Sequence, residues 1–301
     1  MWMGLVNMPR IASYWQTSTL YKNDIAACMM TRNRFQLLLS MWHLADNEMA
    51  NPDNRLHKIE GFIEMMISKF CKVRLPGEVI TVDETMIPFR GRLLFRQYIP
   101  NKAHKFGVKL FKLCESKRYT YTVKLYSGKG DYQVSLAVDT VLQLCAPYVN
   151  AGRTVCTDNF YTCLPLATKL LDVKTHLVGT IRVNRKGLPG AVTKSKLKKG
   201  EVIARENKDG IVVMKWRDKR DVSILSTRHT EALVQTGKPN RQHVDIVKPE
   251  AVVFYNQHKQ GIDLSDQMSS YHTALRRSVK WYHKVAIELL LGTAVVNAFI
   301  R

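Results

Sequence analysis

The sequence predicts an α/β fold: a sheet of mixed direction with helices on its faces, interrupted by a β-rich insertion and flanked by helical segments. Three observations predict it. Apolar residues recur at helical spacing through the first 75 residues and again through the last 20. Between residues 79 and 183, short β-branched runs alternate with helical ones in the order strand, hairpin, helix, strand, helix, strand, the pattern of a layered α/β sheet. Residues 184–248 then break the rhythm with basic, alternating segments.

The elements follow in order. Thr31-Arg-Asn-Arg34 leads into Phe35–Leu44, whose apolar positions share one helical face, with Thr31 as the cap. Leu56–Val73 resumes the pattern through Ile59, Phe62, Ile63, Met66, Ile67 and Phe70, and Leu75-Pro-Gly77 ends it. Val79–Val82 is a short strand ending in Asp83-Glu84. Phe106–Leu113 and Tyr119–Tyr126 alternate on either side of the turn-like Glu115–Arg118, a hairpin signal. Val134–Val149 is helical, Thr154–Thr157 a strand ending in Asp158, Pro165–Leu171 a helix and Leu177–Val183 a strand. In the insertion, Ile211–Trp216 and Val222–Thr227 alternate, and Trp216 is expected in the insertion's own small core. Helical spacing returns after Pro249, is punctuated by Gly261, and carries Asp263 and Asp266.

Composition constrains partners more than fold. The 301 residues hold 46 Lys or Arg against 25 Asp or Glu, a net charge of +21, with 46% apolar residues. That apolar share excludes disorder as the main state. The charge favours polyanions, nucleic acid foremost. It is concentrated in residues 182–248, where 17 Lys or Arg meet 7 Asp or Glu. No stretch is expected to span a membrane, since Val285–Ile300 is short and carries Glu288. The N-terminus does not read as a secretory signal. The six cysteines form no Cys-x-x-Cys pair and read as reduced core residues of an intracellular protein. Ser127-Gly-Lys-Gly130 reads as a turn, not a phosphate loop.

On so basic a chain the carboxylates are the informative minority. Asp83 and Asp158 each follow a short apolar strand, a place from which side chains reach the crevice where open α/β sheets bind ligands. Asp263 and Asp266 add a third acidic group on a helix. Phosphodiester cleavage needs an activated nucleophile and charge stabilisation on phosphorus and the leaving oxygen. Two Mg²⁺ ions supply both, and a few carboxylates hold them. Asp83, Asp158 and Asp263 are therefore expected to converge, with Lys and Arg holding the DNA backbone. Arg90, Arg92, Lys102, Lys105 and Lys109, close after the first acid, are the expected phosphate contacts. Asp139 and Asp172 are read as surface residues. A sugar hydrolase with an acid pair is disfavoured by the strongly basic balance.

Three blocks make the chain recognisable: Val82-Asp-Glu-Thr-Met-Ile-Pro-Phe-Arg-Gly-Arg92, Cys156-Thr-Asp-Asn-Phe-Tyr-Thr162 and Tyr255-Asn-Gln-His-Lys-Gln-Gly-Ile-Asp-Leu-Ser-Asp-Gln-Met268. They resemble the signature blocks of the piggyBac family of transposases. Met8-Pro9, Tyr14-Trp15, Thr31–Phe35, His43–Asn47, Lys105–Lys109 and Leu113-Cys114 resemble further blocks, all in family order. One departure is Ala103, where the family often has proline.

The resemblance implies an RNase H-like catalytic core of the DDE/D type with its β-rich insertion between the second and third acids. Residue by residue, the family's acids fall on Asp83, Asp158 and Asp263, and Asp266, matching a further aspartate of the third block, is implied as a fourth ligand of the divalent ion. The implied organisation is helical dimerisation and DNA-binding at 1–78, core at 79–183, insertion at 184–248, core again at 249–267, and a helical segment at 268–301. The implied activity is cut-and-paste transposition of double-stranded DNA with Mg²⁺ (or Mn²⁺), through hairpinned ends and insertion at TTAA, by a homodimer in the nucleus, with no membrane and no small-molecule substrate. The family's acidic N-terminal arm and Cys-rich C-terminal domain have no counterpart in these residues, so the chain reads as a fragment, a decayed copy or a domesticated derivative. The alternative reading is a transposase-derived protein that binds DNA or chromatin without cutting it.

Overall fold

The computed structural model describes residues 2–20, 22–100, 104–128, 130, 133–239 and 245–300. Short helices open the chain: α1 (Trp2–Leu5), α2 (Asp24–Met29), α3 (Arg32–Met41) and then the longer α4 (Glu60–Val73). Thr31 caps α3 as expected, its Oγ1 accepting from the Arg34 N–H at 3.3 Å. The apolar face of α3 does not bury, however: Leu37, Leu38 and Met41 are exposed, and no described element covers them. In α4 the same spacing does find a core, through Ile63, Met66 and Phe70.

The sheet begins with β1 (Val79–Pro88), β2 (Gln97–Tyr98), β3 (Phe106–Glu115) and β4 (Thr120–Leu125). After α5 (Leu136–Cys145) comes β5 (Thr154–Thr157), and after α6 (Leu164–Asp172) comes β6 (His176–Thr180). β1, β5 and β6 run parallel, joined by helical crossovers as parallel pairing requires, while β3 is antiparallel to β1, β2 and β4. β1 is longer than the expected Val79–Val82. The whole of β3 pairs with it, from Ile80↔Glu115 to Pro88↔Gly107, and carries it onward. Asp83 and Glu84 therefore sit in mid-strand, one on each face.

Residues 184–248 hold α7 (Gly190–Thr193), β7 (Val202–Glu206), β8 (Val212–Arg217), β9 (Asp221–Ser226), β10 (Leu233–Pro239) and most of β11 (Asp245–Pro249). β7–β9 form a meander whose last strand pairs with β6, from Val178↔Ser226 to Thr180↔Ile224. These strands thus prolong the central sheet, in the order β2-β3-β1-β5-β6-β9-β8-β7, with only β10 and β11 as a separate ribbon. Trp216 accordingly packs not in a private core but with Cys156, Val178, Val252 and Tyr255.

The chain ends in α8 (Glu250–His258), α9 (Gly261–Tyr271), α10 (Trp281–Ile287), a π-helical turn (Glu288–Thr293) and α11 (Ala294–Ile300). On one face of the sheet, Val82, Phe111 and Val155 meet α5 and α6 through Val141, Leu144, Leu166 and Leu170. On the other, Leu110, Val123 and Leu125 meet Val285 and Leu289. Among the described residues the run Trp281–Ile300 is 20 residues long with mean hydropathy 1.4, long and apolar enough to span a membrane, which corrects the expectation. Half of it is buried inside the protein, as befits a helix closing a core.

Two smaller expectations also change. Asp139 is not a surface residue: at 8% exposure its carboxylate accepts the Val134 N–H at 3.3 Å and closes the turn before α5. All six cysteines are free, and Cys114, Cys145 and Cys156 are buried, but Cys28 is exposed.

Candidate active site

Register brings the first two acids together. Val82 pairs with Thr157 in parallel β1 and β5, so the next residue on each chain is an aspartate, Asp83 and Asp158. Side-chain alternation sets Asp83 on the face covered by α8 and α9: its strand neighbours Thr81 and Thr85 bond to those helices. Thr81 Oγ1 donates to the His258 carbonyl at 3.0 Å, and Thr85 Oγ1 donates to Asp266 Oδ2 at 2.7 Å. α9 can lie this close because its first residue is Gly261, where a Cβ would stand 2.5 Å from the Glu115 carbonyl oxygen. Asp263 occupies the first turn of α9, exposed, and Asp266 follows one turn later on the same side.

The electrostatics fit a cation-binding cluster. Burial lifts the Asp158 carboxyl above the ordinary aspartate range, against the pull of the Phe160 N–H that it accepts at 2.8 Å, and the charge of Glu84 adds to the rise. Burial, and then the charges of Asp158 and Asp83, push the Tyr255 hydroxyl on α8 up to about 12. Glu84, on the other face of β1, accepts from Tyr161 at 2.8 Å and pairs with Lys109 at 3.7 Å. The donor set of half-buried hard carboxylate oxygens suits Mg²⁺ or Mn²⁺ in kind. Among the described residues, no three His, Cys, Asp or Glu side chains are drawn close enough to hold a metal ion in common. The fold delivers Asp83, Asp158 and Asp263 to one face without closing them into a cage.

Beneath this cluster lies Lys112, opposite Asp83 in the β1–β3 register and fully buried. Its Nζ donates to Asp266 Oδ1 at 2.9 Å. Burial works against its charge, but Asp266 and Glu288 outweigh it, and the ammonium's pKa stands above its ordinary value. Sequence reasoning missed Lys112, Thr85, Tyr161 and Glu288. The signal for Lys112 was a lysine between Phe111 and Leu113 in a largely apolar strand.

A groove of about 1860 Å³ opens beside Asp263 and Asp266. Of the residues expected to contact phosphate, Arg90 and Lys105 line it, together with Arg96, Arg276, Arg277 and Lys284. Arg92 is exposed but is not among the lining residues. Lys102 lies outside the described residues. Lys109 departs from expectation: it is buried, with its ammonium held by Glu84 and stacked 4.7 Å over Phe111 and 4.6 Å over Phe160. Its position opposite Met86 turns it to the Glu84 face, away from the groove.

Comparison with known proteins agrees with this geometry. The Transposase IS4 family model matches residues 1–299. The human PiggyBac transposable element-derived protein 3 is 27% identical over 309 residues, 97% of this chain and 52% of that protein. Human PiggyBac transposable element-derived protein 2 is 23% identical over 318 residues, 98% of this chain and 52% of its own length. The chain thus spans about half the length of these relatives. Among solved structures, the piggyBac transposase synaptic complex with hairpin DNA superposes with a TM-score of 0.85 at 27% identity, covering 99% of this chain and 63% of that one. The mixed sheet, its RNase H-like arrangement of β1, β5 and β6, and the match along the whole chain place this protein in the Transposase IS4 family, among its piggyBac-type members.

Proposed function

We propose that this chain is the catalytic portion of a piggyBac-type DNA transposase that cleaves DNA strands and transfers them by cut-and-paste at TTAA. The observation that carries the reading is the Val82–Thr157 pairing of parallel β1 and β5, after which Asp83 and Asp158 are the next residues, with α9 carrying Asp263 on the face of Asp83 beside a basic groove. Asp83, Asp158 and Asp263 would hold the divalent ion. When bound, Mg²⁺ or Mn²⁺ supplies Lewis-acid stabilisation of the phosphate charge and activation of the attacking oxygen.

The chain's own residues do the rest. Arg90, Lys105 and Arg277 orient the phosphodiester backbone along the groove. Thr81 and Thr85 hold α8 and α9 against the strand that bears the first acid. The Phe160 N–H holds one oxygen of the Asp158 carboxylate at 2.8 Å. Residues 1–78 and 268–301 flank this core as helical dimerisation and DNA-binding segments, with the β-rich stretch 184–248 between the second and third acids. The working assembly is a homodimer acting on double-stranded DNA in the nucleus.

One observation favours a second reading, a DNA- or chromatin-binding protein that does not cut: the curated relatives are named transposable element-derived proteins. The deciding experiment incubates purified protein with Mn²⁺ and a labelled duplex ending in TTAA, and looks for nicks and hairpins on denaturing gels. Cleavage abolished by Asp83→Asn supports the transposase. Binding with no cleavage in either protein assigns the chain to the second reading.

A further inference from the structure

Lys112 is the one Lys, Arg, Asp or Glu among the described residues with no solvent exposure at all. An ammonium is kept out of water only when partners replace its hydration. Here they come from two elements, and a third fixes the first of them. Asp266 of α9 accepts from Nζ at 2.9 Å, and Thr293 of the π-helical turn stands 3.5 Å away. Thr85 of β1 takes the second oxygen of Asp266 at 2.7 Å. Both carboxylate oxygens of Asp266 are therefore engaged from the sheet side.

The π-helical turn belongs to the same construction. Such turns concentrate at functional sites because the extra residue re-aims side chains. This one sets Glu288 under α9, where Ser269 donates to its Oε1 at 2.9 Å. A Cβ at Gly292 would stand 2.8 Å from that oxygen, so the close approach requires the glycine. The result is an internal tie from β3 through α9 to the C-terminal helix, one helical turn from Asp263 and opposite Asp83.

We propose that Lys112 is a positioning residue: it clamps α9 through Asp266 so that Asp263 faces Asp83, and Asp266 is the anchor of that clamp, not a ligand of the divalent ion. The inference rests on the reading of Asp83 and Asp263 as metal ligands. Sign separates it from plain electrostatics. Removing a positive charge from beneath carboxylates should tighten cation binding, whereas unclamping α9 should weaken it.

The test measures two quantities on purified protein: Mn²⁺ affinity, from the loss of the free-ion electron-spin-resonance signal, and amide hydrogen exchange along residues 261–271. Lys112→Met should weaken Mn²⁺ binding about 10- to 100-fold, the range for removing an outer-sphere support, and speed exchange in α9. Asp266→Asn should lower affinity only in step with faster α9 exchange, and the double variant should be no worse than Lys112→Met alone. Thr85→Val, a milder loosening of the same clamp, gives the same pair of changes on a smaller scale and covers the case in which Lys112→Met does not fold. Unchanged α9 exchange in Lys112→Met or Thr85→Val would overturn the clamp, as would Mn²⁺ binding at or above the original strength. Lower affinity in Asp266→Asn with α9 exchange unchanged would make Asp266 a ligand instead. If Asp83→Asn and Asp263→Asn leave Mn²⁺ binding intact, the metal reading itself fails, and the exchange data still decide whether the clamp exists.

Discussion

Asp158 is held at a cost to the fold. Its carboxyl takes up a proton more readily in the folded protein than in the unfolded chain, because burial and Glu84 disfavour its charge. The stability lost to ionisation is absent below the ordinary aspartate range near pH ~4 and grows as pH rises through the raised folded value. Asp158→Asn should therefore melt higher than the original protein at pH 7 without divalent ions, and the advantage should vanish in acid. The same variant should cut DNA at under about one hundredth of the original rate, since loss of an outer partner alone costs ~10–100-fold. Thermal melts at two pH values and a cleavage assay check both halves; equal melting at pH 7 would remove the strain argument. Lys109 gives a second contrast at this scale. Its ammonium answers Glu84, so Lys109→Met should destabilise the fold while leaving the salt dependence of DNA binding unchanged.

Two junctions between elements carry more of the site than any single helix. At the start of α9, replacing Gly261 by alanine would improve helix propensity by ~1 kcal/mol. The added Cβ would meet the Glu115 carbonyl at 2.5 Å, and overpacking of this kind costs about 1–3 kcal/mol. The clash wins because backbone cannot swing aside. Gly261→Ala should lower the melting midpoint and cut activity by shifting Asp263, and a midpoint raised by the substitution would refute the tight α9–β3 contact. The second junction is β6 with β9. Trp216 fills the space between β8 and α8 with Val252 and Tyr255, so Trp216→Ala should cost about 3–5 kcal/mol, read from denaturant unfolding. A loss below 1 kcal/mol would instead make β7–β9 a peripheral addition. Gly179, in β6, is bound to the same packing: a side chain there would strike Thr157 and Thr162, immediately beside Asp158.

On the scale of the molecule, part of the basic surface lies on the groove beside α9, which Arg90, Arg96, Lys105, Arg277 and Lys284 line, and the densest basic stretch of the sequence is residues 182–248. Each phosphate contact releases counterions, giving a log–log salt slope near −0.9 per contact on duplex DNA. Neutralising Arg90 and Lys105 together should flatten the slope by about two units, measured by fluorescence anisotropy from 50 to 200 mM salt as an order-of-magnitude range. An unchanged slope would assign both to a solvated surface.

Most of the elements were legible in the sequence because they are local. A cap such as Thr31, the breaker Leu75-Pro-Gly77 and the alternation of Phe106–Leu113 act within a few residues, so their consequences can be read from a few residues. The acids Asp83, Asp158 and Asp263 were legible for a different reason: opposite in charge to their basic surroundings, they stood out by chemistry and by their places after strands and inside a recognisable block. What the sequence by itself determined was the order of strands and helices, the family and the kinds of atoms available to a divalent ion. What only the tertiary structure decided was company. The nine-residue pairing with β3 put Asp83 in mid-strand, β9 joined the meander to β6, burial turned Lys109 from an expected phosphate contact into a partner of Glu84, and Lys112 met Asp266 across 154 residues of chain. These are non-local pairings whose energy depends on burial, and burial belongs to no segment alone.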